Sequence, residues 1–453
     1  MDEIEVSYPR QFVAIDDRLE FTSTFSKFQL SGFNSDEFVV MREDSDGVSL
    51  QTMINKGSCR GGTCSVQFGG TGELADYYVA VVDELHSPDL APLPLEQDIS
   101  SGSAQYLIIS HPNFIGAPSL QALVTDLSAE MTVQVVDVEA IYAQYGHHIF
   151  DPAAIQDYIK DSVENRGTEY VLLIGGDVYD YRQFENDDAT SFIPSIYAST
   201  GSSINFAPVD AKYVDLDDDN VPDLPIGRLP VRTVSQLDSL LSKRTDYVAR
   251  TYNGKILLVA DEYDAAQQYD FASDAEEVAT DFLGSFDNTK VYVDEYLANG
   301  QSVAQARSEI VSAINEGQSM TAFFGHSSTN QWAFNGLFTG NDAASLSNYG
   351  RPTVVTQWGC WNAYYVSPNE DSMGHRFMME GDQGAVAVMG ATTLTNANSE
   401  RQLARLVLER IADGERLGDA ITNAKQEYAV ENPDDLDVLL GWTLLGLPDL
   451  VIN

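Results

Sequence analysis

Cations and cysteines are the two things this sequence has little of. Against 69 acidic side chains it carries only 25 lysines and arginines, a formal net charge of −44. A chain so acidic repels phosphate backbones and anionic lipid alike, which argues against nucleic acid and membrane surfaces as partners. No apolar run approaches the ~18 to 20 residues of a membrane span, so no membrane insertion is expected. The opening MDEIEVSYPR lacks the basic start and apolar core of a signal peptide. Either the protein is cytoplasmic or its targeting segment is absent from this sequence. HExxH, a glycine-rich phosphate loop ending in Lys-Ser/Thr and a dinucleotide fingerprint are all missing, so none of the chemistries those motifs serve is indicated.

The three cysteines are Cys59, Cys64 and Cys360. The first two sit in SCRGGTCSV, where Arg-Gly-Gly-Thr reads as a hairpin turn between strand residues; a disulfide closing it would imply an oxidising compartment. Two free thiols, or half of a metal site, are the alternatives. Cys360 is left over, a lone thiol in a glycine-flanked turn, and merits a reactive interpretation.

What the chain does have is enough apolar and aromatic material for sizeable cores, 43% and 10% of its residues, so it is not a disordered chain. Its length, 453 residues, allows two or three domains. Residues 1–98 alternate apolar and polar positions in short bursts (FVAI, FQLSGF, FVVM, CSVQF, YYVAVV), which predicts an antiparallel, sandwich-like β domain. SPDLAPLPLEQDISSGS follows as a connector. From residue 99 the texture changes to buried strands (YLIIS, TVQVVDV, YVLLIGGD) alternating with helical stretches, the pattern of a parallel sheet covered on both faces. A first α/β unit over 99–250 and a second over 251–453, where the alternation recurs, are expected.

The stretch from Gln318 to Tyr365 concentrates the chemistry. Met320 to Phe324 and Thr353 to Thr356 read as buried strands, each followed shortly by a glycine and one reactive residue, His326 and Cys360. Adjacent parallel strands would present the two side by side at one sheet edge, where open α/β sheets place their sites. A thiolate is the competent nucleophile, a neighbouring imidazolium favours it, and backbone N–H groups at a turn can hold an oxyanion. Farther back, DLDDDNVPD sets Asp215, Asp217, Asp219 and Asp223 in an oxygen-rich loop suited to a structural calcium ion. The EF-hand pattern is incomplete, since Val221, Pro222 and Pro225 interrupt it and Ile226 takes the place of its final Glu; a solvated acidic turn is the alternative. His86, His111, His147, His148 and His375 have no partners at diagnostic spacing and read as structural or solvated.

The two turns, together with QYLIISHPNF, YVLLIGGD, VDAKYVDLDDDNVPDLPIGRLPVR, QWGCWNA, GAVAVMGATT and LLGLPDL, resemble the gingipain-like cysteine peptidases, peptidase family C25 of the caspase-like clan, over roughly residues 104–453. The resemblance implies two adjacent caspase-like α/β units with mainly parallel sheets behind a β domain. It implies Cys360 as nucleophile, His326 as general acid/base, and the N–H groups of Ser327 and Cys360 as oxyanion donors. Serine at 327 departs from the family, where glycine usually follows the histidine. By the same resemblance Trp332 would wall the cleft, Asp177 (with Asp180 as rival) would orient His326, and Asp210 would line a primary pocket for Arg or Lys. The expected protein is a secreted or surface cysteine endopeptidase acting on polypeptides, needing no cofactor for catalysis and held by a propeptide or inhibitor. A sortase-like transpeptidase and a non-catalytic calcium-binding interaction module are the rival expectations.

Overall fold

The computed structural model describes residues 8–45, 47–53, 57–85, 98–185, 188–201 and 203–452. His86 and most of the connector lie outside them. The chain divides into two compact units, residues 1–94 and 95–453.

The first unit contains two antiparallel sheets. Strands β1 (Arg18–Ser23), β2 (Lys27–Phe33), β3 (Phe38–Asp44), β4 (Gly47–Met53), β5 (Ser58–Arg60), β6 (Thr63–Gly69) and β7 (Ala75–Val81) pair in the orders β1-β7-β3-β4 and β2-β6-β5. The two-residue alternation does the sorting: Ala75, Tyr77, Val79 and Val81 are buried while the residues between them are more open. Leu19, Phe38 and Tyr77 of one sheet join Phe28, Leu30 and Phe68 of the other in one apolar cluster, the arrangement of a sandwich. Cys59 and Cys64 lie directly opposite each other on β5 and β6 and are disulfide-bonded.

The second unit is built on one ten-stranded sheet. Its strands are β8 (Tyr106–Ser110), β9 (Val133–Asp137), β10 (Tyr170–Ile174), β11 (Ile226–Leu229), β12 (Lys255–Ala260), β13 (Asp287–Tyr292), β14 (Met320–Phe324), β15 (Thr353–Trp358), β16 (Ala385–Ala391) and β17 (Trp442–Leu445). Their spatial order is β13-β12-β14-β15-β16-β17-β11-β10-β8-β9. Both faces are covered, which is why these strands read as continuous apolar runs. On β10, Leu172 and Ile174 join one core while Val171 and Leu173 join another on the opposite face. Helices α1 (Pro118–Leu127) and α3 (Val234–Val248) contribute Leu120, Leu123, Leu237 and Leu240 to the first core, and α2 (Pro152–Arg166) gives Ile155 and Ile159 to the second. Each such side chain contributes about 1.5–3 kcal/mol of transfer free energy.

The closing strand β17 joins the two halves. It runs parallel to β11 and antiparallel to β16, while the other neighbours in this sheet are parallel. The halves expected from sequence therefore share a sheet but run in opposite directions. The strand ends of the first half, where Asp177 lies, face the opposite edge from those carrying His326 and Cys360.

A buried ion pair holds the first half to its loops. Arg228 on β11 is fully buried and meets Asp210 through two 2.7 Å contacts, Nε to Oδ2 and Nη2 to Oδ1. Its Nη1 donates to the carbonyls of Gly175 and Ile193, and the Tyr365 hydroxyl donates to Asp210. Breaking such a pair strands one charge in the interior. Arg228→Met should lower stability by about 3–5 kcal/mol, read as a fall in the urea midpoint with unchanged m-value; a midpoint equal to wild type would show that Asp210 is not dependent on this partner.

Candidate active site

Strands β14 and β15 are parallel and in register, with Phe324 opposite Trp358. The Gly325 N–H carries the pairing one step further, onto the Trp358 carbonyl. Immediately past this level His326 and Cys360 emerge, and they line one cavity of about 320 Å³. Glycine at both turns answers to crowding. A Cβ on Gly359 would lie 2.3 Å from the Gly325 carbonyl oxygen, and one on Gly325 would lie 2.4 Å from Cβ of Asp261. A side chain at 359 would collide with the turn after β14, and one at 325 with Asp261 in the loop after β12.

His326 is half-buried. One ring nitrogen, Nε2, lies 2.9 Å from Oδ2 of Asp264, and its backbone N–H donates to Asp261. Phe334 stacks on the imidazole at a centroid distance of 4.6 Å, and Phe271 meets its edge. The hydrogen bond from His326 holds the Asp264 carboxyl below the ordinary carboxylate range. Burial pushes Asp261 up to about 6.

Cys360 Sγ sits against Thr395, 3.4 Å from its hydroxyl and 3.5 Å from its backbone nitrogen. Burial raises the thiol pKa, and the nearby Glu400 raises it further. Glu400 lines the same cavity on helix α4 (Ala397–Ala412), buried, with one oxygen accepting from the Thr395 hydroxyl at 2.7 Å. Burial lifts its pKa to about 8.

Two backbone donors stand beside these groups. The Ala333 N–H donates to the His326 carbonyl, which makes Ser327 and Trp332 a non-hydrogen-bonded antiparallel pair. The Ser327 N–H is thereby left out of the ladder. The Cys360 N–H donates to no group among the described residues.

Several sequence expectations land elsewhere. Asp177 does not meet His326: it is buried at the far sheet edge, where its carboxylate accepts from Ser191, the Ser195 N–H and Tyr197. Asp180, its rival, accepts from the N–H groups of Phe184 and Glu185. The carboxylate that meets the His326 ring is Asp264. It lies in the loop after β12, next to β14, so the strand order would have pointed to it had the order been known. Asp210 is taken by Arg228 and is 2% exposed, so it lines no substrate pocket. Trp332 is fully buried, stacked on Phe323 with Nε1 donating to Gln357. It packs behind the site, and the exposed wall is Phe334. Glu400 did carry a signal, since it shares a helical stripe with buried Leu403, Ala404 and Val407.

In the acidic loop, carboxylate oxygens of Asp215, Asp217 and Asp223 lie within 4.8 Å of one another; Asp219 is outside that group. Asp215 is already paired with Lys212 Nζ at 2.6 Å and accepts from the Asp219 and Asn220 N–H groups. The four-aspartate cage expected from spacing is not formed.

The sequence model described as peptidase family C25 matches residues 99–453. No curated protein matches. Among solved structures, the Arg-specific cysteine proteinase gingipain R aligns with a TM-score of 0.61 at 17% identity, covering 80% of each chain. The complex of Porphyromonas gingivalis RgpB pro- and mature domains aligns at 0.59 and 18%, covering 77% of this chain and 80% of that one. Dimeric latent PorU from the same organism aligns at 0.50 and 14%, covering 97% of this chain and 39% of that one.

If Asp264 orients His326, Asp264→Ala should lower kcat/KM by roughly 10²-fold, the lower end of what general acid–base groups contribute. Asp177→Ala should leave kcat/KM per folded molecule near wild type. Equal losses in both variants would reverse the assignment.

Proposed function

The chain belongs to peptidase family C25 and is a cysteine-type peptidase, and on that premise we propose that it is a secreted endopeptidase working through Cys360 and His326. The observation that carries this reading is the single cavity shared by both side chains at the ends of paired strands, with the Ser327 and Cys360 N–H groups beside it. The Cys360 thiolate attacks the scissile carbonyl carbon, and the two N–H groups receive the oxyanion. The tetrahedral adduct collapses, the C–N bond breaks, and the imidazolium of His326 gives its proton to the departing amine. Water, deprotonated by the now neutral imidazole, attacks the thioester and releases the acid and the thiol. Asp264 keeps the ring oriented throughout. Family membership and this cavity leave the non-catalytic rival without support.

Cleavage after basic residues remains the preferred specificity, but the carboxyl we assign to it is Glu400 in place of Asp210. Glu400 lies in the cavity wall next to the nucleophile, among the apolar side chains Phe271, Trp361 and Leu394. Among the described residues no cation pairs with it, and it stays protonated up to about pH 8. A Lys or Arg side chain entering the cavity would supply the missing charge.

The disulfide between Cys59 and Cys64 favours an oxidising compartment and so supports secretion. A propeptide as inhibitor gains support from the neighbouring structure of pro- and mature domains. A calcium ion in the acidic loop would have to share Asp215 with Lys212 and Asp223 with the Leu216 N–H, and would act structurally; a melting temperature unchanged between calcium and chelator would remove it.

Cys360→Ala should abolish cleavage of casein and of fluorogenic Arg and Lys peptides, and iodoacetamide should label Cys360 in the native protein; retained cleavage would overturn the mechanism. Added amine nucleophile should leave hydrolysis as the main outcome, whereas ligated product in excess would make the enzyme a transpeptidase. KM for an Arg peptide should fall as pH rises through about 8, as Glu400 ionises, and Glu400→Gln should remove that dependence. Because the folded pKa of Glu400 lies above the ordinary value, its stability contribution is complete in acid and lost as pH rises through about 8. Wild type should therefore lose more stability than Glu400→Gln between pH 7 and pH 9.

A further inference from the structure

The side chain at 327, where the family usually has no side chain at all, does not point into the cleft. Ser327 is buried, and its hydroxyl donates to the Cys360 carbonyl at 2.7 Å. The same oxygen accepts from Nδ2 of Asn362 at 3.1 Å. Asn362 is fully buried; its Nδ2 also lies 2.6 Å from the Gly359 carbonyl oxygen and 3.3 Å from that of Gln357. Its Oδ1 accepts from the Ala391 N–H at the end of β16.

Cys360 therefore sits between two peptide groups that are each gripped by a side chain. The carbonyl before it, of Gly359, is held by Asn362; the carbonyl after it is held by Ser327. A peptide group is planar, and in the trans form its C=O and N–H point in opposite directions. Holding the Gly359 oxygen thus fixes the direction in which the Cys360 N–H points. The residue after the nucleophile needs such restraint, because Trp361 adopts the left-handed backbone region at φ 61°, costly for a residue with a Cβ.

We propose that Ser327 and Asn362 form a clamp on the two peptide groups flanking Cys360, and that the Ser327 hydroxyl is a positioning group for the oxyanion hole. The inference rests on the acyl-transfer reading above. In this chain the serine replaces conformational freedom with a hydrogen bond. Its N–H remains a donor to the oxyanion, while its hydroxyl holds the Cys360 carbonyl and accepts from the Asn362 amide, and that amide in turn grips the Gly359 carbonyl and so keeps the second donor aimed.

Ser327→Ala keeps the backbone N–H and removes only the hydroxyl, and Ser327→Gly restores the family pattern. Both should lower kcat by about 10-fold, short of the 10²–10³ lost with an oxyanion donor itself. KM should stay within about two-fold. The rate of Cys360 alkylation by iodoacetamide should not change, because alkylation forms no oxyanion. Melting temperature measured alongside identifies any variant whose loss is one of folding, and kcat is taken per folded molecule. A kcat equal to wild type in both variants overturns the clamp. So does a parallel fall in kcat and alkylation, which would place the hydroxyl on the thiolate. Cys360→Ala serves as the separate arm. Cleavage retained there sinks the peptidase mechanism itself, whereas normal Ser327 variants of an enzyme that dies without Cys360 sink only the clamp.

Discussion

Backbone pairing between Met320–Phe324 and Thr353–Trp358 sets the level at which His326 and Cys360 leave the sheet. Parallel strands in register deliver their next residues side by side, so an imidazole and a thiol separated along the chain come to line one cavity without any side chain having to arrange it. Crowding past the last pair then demands glycine at 325 and 359. With those turns in place, Ser327 and Cys360 line a common cavity. The rest of the unit supports this geometry from outside: Trp332 and Gln357 lock the loop after His326 from below, and Thr395 seats the sulfur.

Charge is distributed with the same economy. In so acidic a chain the few cations that are buried serve the fold. Arg228 takes Asp210, Lys243 donates to the carbonyls of Met378 and Gln383, and Lys425 to that of Trp442. Burial brings both lysines down to about 7. Burial keeps Glu400, beside Cys360, protonated at neutral pH, which spares the thiol a permanent negative neighbour. Burial, with Asp437 nearby, leaves that carboxyl neutral, and a cation brought beside it would favour its ionised form at pH 7.

The predicted elements were legible wherever local pattern decides them. Two-residue alternation marked the sandwich, continuous apolar runs marked the covered sheet, and SCRGGTCSV marked a hairpin whose cysteines face each other. Asp177 misled because YVLLIGGD ends like the strands of the second half while pointing the other way. Periodicity reports which residues are buried and says nothing of strand direction, and the reversal depends on the four residues of Trp442–Leu445. Asp210 and Trp332 misled for a related reason. Each has the right chemistry, and each spends it on an internal partner, Arg228 or Gln357.

By itself the sequence determined the family and the kind of fold, and it placed His326 and Cys360 at the ends of neighbouring strands, because a strand, a glycine and the residue after it are local facts. Tertiary structure alone decided that Asp264 meets His326, that Asp210 is paired with Arg228, that Glu400 lines the cavity with Cys360, and that the Ser327 hydroxyl turns toward the Cys360 backbone. Each of those is a contact between segments far apart in the chain, and such contacts follow from strand order and direction, which no stretch of residues encodes within itself.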